Sequence, residues 1–427
     1  MREGADDIAF EVISRLRDPS KVAEMAETEV HQIGVPGLWD PVSFSSGFAG
    51  LAVTHLATIG VEPGAEATAR RHMAAALAHM PSRGTTSVTA GYGSLAAAAV
   101  VVSRATDEYD QMAKRGSMWL ADQCERTVAE QLARWRTGET WADERMWDAV
   151  CGVSGAGRVL LESRERGLGD YEVTLLGIAS MLTRLTEPVT HLGATRPGWW
   201  IRPGVNRRCL AGGCDPGLAH GISGPLTFLS QSYRAGLRVS DHRDAITAIA
   251  GWLIDARKPD HRWPFTVPIS SDGDTGDSTA RSAWCYGAAG VARSLYLAGT
   301  AIGDGWIAAA GLDALRAMTV QSTRSWRLWG PTFCHGLAGL LQILNRTAAD
   351  ADDPVLRGMV DRVVSEIVDE YREGPHFGFS HVHDQGGESS LRAALPGVLT
   401  GAAGVALALV STTLPPSVQW DLPLMLA

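Results

Sequence analysis

Trp284-Cys285-Tyr286-Gly287-Ala288-Ala289-Gly290 and Phe333-Cys334-His335-Gly336-Leu337-Ala338-Gly339 share one pattern: a cysteine, a ring-bearing residue, then a Gly-x-x-Gly run. The glycine run recurs along the whole chain. Its other copies read Ser46-Gly47-Phe-Ala-Gly50, Ala90-Gly91-Tyr-Gly-Ser94, Cys151-Gly152-Val-Ser-Gly155, His220-Gly221-Ile-Ser-Gly224 and Thr400-Gly401-Ala-Ala-Gly404. In the second copy Ser94 stands where the last glycine is expected. First glycines are separated by 44, 61, 69, 66, 49 and 65 residues, and seven repeats in 427 residues average 61 residues each, so the pattern covers the chain.

After several copies comes an apolar stretch, such as Leu51-Ala-Val-Thr-His-Leu-Ala or Val405-Ala-Leu-Ala-Leu-Val. Runs that are hydrophobic almost all round read as helices buried between other elements. The intervening segments are amphipathic: Asp361 to Tyr371 places Val363, Val364, Ile367 and Val368 at helical spacing. Each repeat therefore predicts one inner helix, entered through a glycine turn, and one outer, half-exposed helix. Irregular repeat lengths and the lack of a polar capping repeat favour closure over an open solenoid. The expected fold is all-α, an α/α toroid of about fourteen helices, two per repeat. No β-rich stretch or Pro/Ser linker divides the chain. Thr190 to Cys214 and Lys258 to Thr279 are the longest irregular segments and are expected as loops at the ring mouth.

Composition bounds the function. The chain is 45% hydrophobic and 20% charged, which reads as globular, and its net charge of -9 argues against nucleic-acid binding. Its N-terminus lacks an apolar signal region, and the longest apolar stretch, Leu95 to Val102, is far too short to span a bilayer. A cytoplasmic location is expected. Six cysteines in a chain this long do not form a disulfide scaffold.

Aligned on the first glycine, Cys285 and Cys334 fall two places before it, and Cys151, His220, Tyr286 and His335 one place before it. In a pseudo-symmetric ring, equivalent positions sit at similar heights, so Cys285 and Cys334 in successive repeats become neighbours. Two thiolates and an imidazole from Cys285, Cys334 and His335 suit zinc, with a fourth tetrahedral position left open. A lone cysteine at a helix entrance is more often a small buried hydrophobe; the shared register and the adjacent histidine tip the balance to metal. Cys151 has no pairing partner in the sequence and reads as core. Cys209 and Cys214 have near-ribbon spacing but no second ligand pair, and His381-Val-His383-Asp384 reads as a solvated segment; both rank below the Cys285/Cys334/His335 set. The chain has fourteen tryptophans, and Trp141, Trp147, Trp199, Trp200 and Trp263 either grip an extended peptide or pack in the core.

With Ala219-His220-Gly221, Arg281-x-x-Trp284-Cys285-Tyr286-Gly287 and Cys334-His335-Gly336 in this order on this repeat, the chain resembles the lanthipeptide synthetase C-like cyclases. The resemblance covers essentially all residues and implies a single cyclase domain over 1–427, of the stand-alone class I type without a fused dehydratase domain. It implies seven inner and seven outer helices and a zinc ion on Cys285, Cys334 and His335. It also implies catalytic roles for His220, Arg281, Asp148 and Tyr286. The implied reaction adds a peptide cysteine thiol to dehydroalanine or dehydrobutyrine, forming a thioether ring. The implied partners are a dehydrated precursor peptide, leader plus core, and a dehydratase in a membrane-associated synthetase complex.

From the chemistry of the groups, His220 is the candidate proton donor to the α-carbon. Arg281 would stabilise the enolate. Asp148 would orient or balance one of them, or serve only as a helix N-cap. Tyr286 would assist by hydrogen bonding or pack as an aromatic. Competing readings are addition of another thiol such as glutathione to dehydrated residues, a non-catalytic peptide-binding scaffold, and an α/α-barrel hydrolase or prenyltransferase-like enzyme. A glycosidase of that shape needs two opposed carboxylates, and only Asp148 lies near a motif.

Overall fold

Each glycine run lies at the start of a helix. Gly47, Gly152, Gly336 and Gly401 take extended backbone angles immediately before their helices. At Gly287 the turn is tighter: φ is +104°, and a Cβ there would overlap the carbonyl oxygen of Arg281. Only glycine tolerates both conditions.

The computed structural model describes residues 2–80, 85–139, 141–191, 193–204, 212–268, 281–384 and 390–427. Among them are sixteen α-helices and two short antiparallel hairpins. The helices that follow the seven motifs are α3 (Phe48–Ala57), α5 (Gly91–Val102), α8 (Val153–Glu165), α10 (Ser223–Arg234), α12 (Ala288–Ile302), α14 (Leu337–Asp350) and α16 (Ala402–Val410). Every residue of α3 and α16 is buried, as the all-round apolar pattern requires.

The second motif has a different register from the one its sequence suggests. Helix α5 begins at Gly91, and Ala90 holds the extended pre-helix angles, φ -141° and ψ 156°. Ala90 therefore stands in the place of the first glycine and Gly93 in that of the last. Gly93 lies against the carbonyl of Ser87, six residues back, as Gly50 does against that of Phe44. Ser94 is not a replaced glycine; its hydroxyl donates to Gly91 O at 2.7 Å inside the first turn.

The chain divides into two compact units. The first holds residues 1–116 and 328–422, with Ala427. In it α14, α16, α3 and α5 lie side by side, α4 (Ala65–Ala78) backs α3, and α15 (Pro354–Asp369) backs α14. The helix behind α16 comes from the other end of the sequence: α1 (Arg2–Arg15) packs on α16 and α15. Helix α2 (Pro19–Ile33) adds a further element against the hairpin strand β4 (Ser390–Ala393). Asp18 and Asp353 cap α2 and α15 through backbone N–H groups, each worth about 1 kcal/mol. Arg346 of α14 makes a two-point ion pair, at 2.8 and 2.5 Å, with the fully buried Asp421, which also accepts from Gln342 at 2.6 Å.

The second unit holds residues 117–327 and 423–426. Here α8, α10 and α12 lie side by side, backed by α9 (Glu172–Arg184), α11 (His242–Asp255) and α13 (Gly305–Ala317). No helix among the described residues is long and apolar enough to cross a membrane.

Two of the segments expected to be irregular contain short hairpins. Val189–His191 (β1) pairs with Ala194–Arg196 (β2), and His381–Asp384 (β3) pairs with β4. Residues 205–211 and 269–280 of the two expected mouth loops lie outside the described residues.

Candidate functional site

The turns before the inner helices are tied to one another by backbone hydrogen bonds. In the first unit Cys334 N–H donates to Leu399 O (2.9 Å), Leu399 N–H to Ser45 O (2.8 Å), and Ser45 N–H to Thr89 O (3.1 Å). In the second unit Ala149 N–H donates to Ala219 O (3.2 Å), while Leu218 and Ala219 N–H both donate to Cys285 O (3.0 and 3.2 Å). Within each unit, equivalent motif positions are thus adjacent in space.

Asp148 is fully buried at the turn into α8, and its two oxygens do different things. Oδ1 accepts from the backbone N–H groups of Val150 (2.9 Å), Cys151 (2.5 Å) and Gly152 (2.9 Å), closing the turn. Oδ2 lies 2.7 Å from Nδ1 of His220. A carboxylate can only accept, so Nδ1 carries the proton in that bond and the neutral ring's other nitrogen is an acceptor. The His220 side chain is 22% exposed, whereas Asp148 is 0% exposed, so the imidazole alone meets solutes. Tyr286 stacks on His220 with ring centroids 6.3 Å apart and meets Phe265 in a tilted contact at 4.4 Å.

Cys285 is buried, with its carbonyl holding the turn that carries His220. The preceding Trp284 locks its loop by donating Nε1–H to Leu424 O at 2.9 Å. Arg281 is half-buried at the start of the same turn, and its carbonyl accepts from Ala288 N–H at 2.9 Å.

In the first unit Cys334 and His335 are both half-buried. The His335 carbonyl accepts from Trp329 N–H at 2.9 Å, and its ring meets that indole edge-on at 5.6 Å. Nearby His381 sits on β3, not on a solvated segment: it is buried, and its Nδ1 lies 2.9 Å from Thr332 Oγ1. Burial, then the neighbouring His335 and His383, push its pKa down to about 3. The His381 and His383 rings stand 6.4 Å apart.

Two groups among the described residues could hold a metal ion, with the donor atoms of each within 4.8 Å of one another: Cys285, Cys334 and His335, and Asp148, Cys151 and His220. Two thiols and an imidazole are donor types that suit zinc, so the chemistry of the two-thiol set fits that ion. Cys151 is not core; it is half-buried beside the Asp148–His220 pair. Its signal in the sequence is its register, one place before the glycine, shared with His220, Tyr286 and His335. Cys214 is buried and paired with Val267 by two backbone bonds, and Cys209 lies outside the described residues.

The tryptophans divide. Trp147, Trp199, Trp200 and Trp263 are buried, and Trp263 Nε1–H donates to Leu253 O at 2.6 Å. Trp141 is half-buried between the guanidinium groups of Arg134 (4.5 Å) and Arg202 (3.4 Å).

Comparison with solved structures finds the chain similar to nisin cyclase, with a TM-score of 0.73, 15% identity, and coverage of 95% of this chain and 98% of that one. That likeness gives the fold: all-α, an α/α toroid, as the repeat predicts. No curated protein sequence matches the chain significantly. The lanthionine synthetase C-like protein family model, however, matches residues 38–425, so a fold, a motif order and a family profile agree, and the chain belongs to the lanthionine synthetase C-like family.

Proposed function

We propose that the chain is a zinc-dependent lanthionine-forming cyclase. It adds cysteine thiols of a dehydrated precursor peptide to dehydroalanine or dehydrobutyrine within the same peptide, and acts as one domain with a dehydratase as upstream partner. The observation that carries this reading is that the turn bearing the candidate acid is hydrogen-bonded to the turn bearing Cys285. The His220–Asp148 pair, at 2.7 Å, is carried on a turn whose Leu218 and Ala219 N–H groups are bonded to the Cys285 carbonyl. Family membership and the fold of nisin cyclase support the same chemistry.

Cys285, Cys334 and His335 would hold the zinc ion, which when bound supplies deprotonation of an incoming thiol whose free pKa is about 8.5. Two protein thiolates offset the charge of the ion, so the set leaves a third sulfur electron-rich. In the addition, the peptide thiol's proton goes to solvent and its sulfur forms a bond to the β-carbon. The double-bond electrons move to the acceptor as an enolate. His220, held by Asp148 through Nδ1, delivers the proton from its other nitrogen to the α-carbon. Asp148 stabilises the charged ring before transfer. Arg281 is the donor for the enolate oxygen, and Tyr286 fixes the plane of the His220 ring by stacking.

The test is to incubate the protein with a dehydrated, cysteine-containing peptide and count thiols still open to alkylation by mass spectrometry. Loss of alkylatable thiol with wild type and none beyond background with Cys334→Ala is expected. Zinc content of Cys285→Ala, Cys334→Ala and His335→Ala should fall in parallel; full occupancy in all three would sink the metal assignment.

A further inference from the structure

Asp148, Cys151 and His220 bring a carboxylate, a thiol and an imidazole together, and the cyclase chemistry above uses only two of them. Their donor atoms lie within 4.8 Å of one another. Asp148 Oδ1 is committed to three backbone N–H groups, one of them that of Cys151, which fixes the thiol's backbone against the carboxylate. Only Oδ2 remains, and it faces His220. The carboxylate is wholly buried, whereas the imidazole and the thiol are partly exposed, so a solute ion reaches the set from the His220 side.

We propose that Asp148, Cys151 and His220 form a second zinc site, weaker than the Cys285/Cys334/His335 set, whose filling by excess zinc shuts off the acid of the reaction. The donor types are right: one thiolate, one imidazole nitrogen and one carboxylate oxygen are all zinc ligands, and with the carboxylate and the thiolate each carrying one negative charge the set neutralises a divalent ion. On binding, the Cys151 thiol gives its proton to solvent and the His220 ring exchanges its proton from Nδ1 to Nε2 through solvent, so that the Nδ1 lone pair of a still-neutral imidazole takes the metal. The weakness has a geometric cause. Oδ2 and Nδ1 are 2.7 Å apart in the hydrogen bond, whereas ligands on one tetrahedral zinc stand about 3.3 Å apart, so the bond must be given up and the ring must move. The consequence for activity rests on the cyclase reading; the metal binding does not.

The experiment strips the full chain with a chelator and titrates it with zinc chloride, reading bound metal after desalting. It repeats the titration with cobalt(II) to read sulfur-to-metal absorption. Wild type should take up a second, weaker equivalent, which adds the band of one further thiolate. Cys151→Ala and Cys151→Ser should lack that equivalent and that band, and Cys334→Ala should lose the first equivalent and keep the second. In the cyclisation assay, the ratio of rates with and without excess zinc should fall in wild type and stay near unity in Cys151→Ala. Saturation of wild type at one equivalent overturns the proposal without reference to any variant, as does wild-type uptake and zinc sensitivity in Cys151→Ala. Unchanged uptake in Cys334→Ala overturns the first-site assignment alone.

Discussion

At Asp148 two oxygens perform two separable tasks, and substitutions can pull them apart. An asparagine keeps an oxygen for the three turn N–H groups but loses the negative charge beside His220. Asp148→Asn should therefore hold its melting temperature and zinc while ring closure slows by about 10²–10⁴, the range for losing acid–base assistance. His220→Ala should show the same loss of turnover with zinc retained. Asp148→Ala should lose stability as well, because buried N–H groups left without an acceptor cost about 1–3 kcal/mol each. Normal turnover in Asp148→Asn would leave the carboxylate as a cap and nothing more. Calorimetry and the thiol-blocking assay separate these outcomes. The choice between cap and catalytic group was open in the sequence because a motif shows one residue, not two oxygens. Cys151 was illegible for a related reason: His220, its neighbour in space, comes from the next repeat, and a single cysteine beside glycine reads as core. His220, Cys285, Cys334 and His335 were legible because each sits inside a run whose chemistry is contiguous with its turn.

The elements carry a pH dependence that lies away from the candidate site. His72 of α4 is fully buried; its Nε2 lies 2.8 Å from Leu16 O, and its ring stacks on His55 at 5.3 Å. Burial, then the neighbouring His55, lowers its pKa from 6.5 to about 3. Between those values the unfolded chain binds a proton that the folded chain refuses, so stability is full above about pH 6.5 and falls as the pH drops. At pH 5 the loss from this residue is about 2 kcal/mol. His72→Gln, whose amide can still donate to Leu16 O, should flatten the dependence of urea midpoints between pH 7 and 5; an unchanged slope would remove His72 as its source. Glu62 acts lower on the scale: burial raises its pKa, but hydrogen bonds and charge from His55 and Arg17 outweigh that and hold it below 4.5, so its contribution is lost only in stronger acid. Helix existence was readable from the apolar runs, yet the register of α5 was not. With Ala90 in the first-glycine place, counting from the first visible glycine shifts the motif by one residue, and only the backbone angles reveal it. The hairpin at His381 was hidden because four residues of alternating polarity are too few to signal a strand.

At the scale of the molecule, the sequence pattern implied closure without showing how the last repeat obtains its outer helix. Residues after α16 supply none; α1 does, from the start of the chain, and within the same unit α16 also lies against α3. Pairing the first helix with the last inner one explains why no polar capping repeat was found, since neither end of the series is left bare. The amphipathic pattern of α1 is weak, and nothing local ties residues 2–15 to residues 402–410, so this contact could not be read in advance. Its weight can be estimated. Ala5, Ala9, Val12, Ile13 and Leu16 are buried at 2% exposure or less, and the three larger side chains alone are worth roughly 5–9 kcal/mol by burial. That is comparable with the whole net stability of a domain, about 5–15 kcal/mol. Leu16 also supplies the carbonyl that His72 uses, and Arg17 the cation at 2.9 Å from the buried Glu62. Removing residues 2–17 should therefore abolish cooperative unfolding, leaving helical far-ultraviolet circular dichroism with dye-binding apolar surface and no near-ultraviolet signal. The milder Val12→Asp should lower the melting temperature by several degrees or more while leaving the zinc content of the folded fraction intact. A truncated chain that melts cooperatively at the wild-type temperature would show α1 to be an appendage, and the seventh helix pair would need another partner.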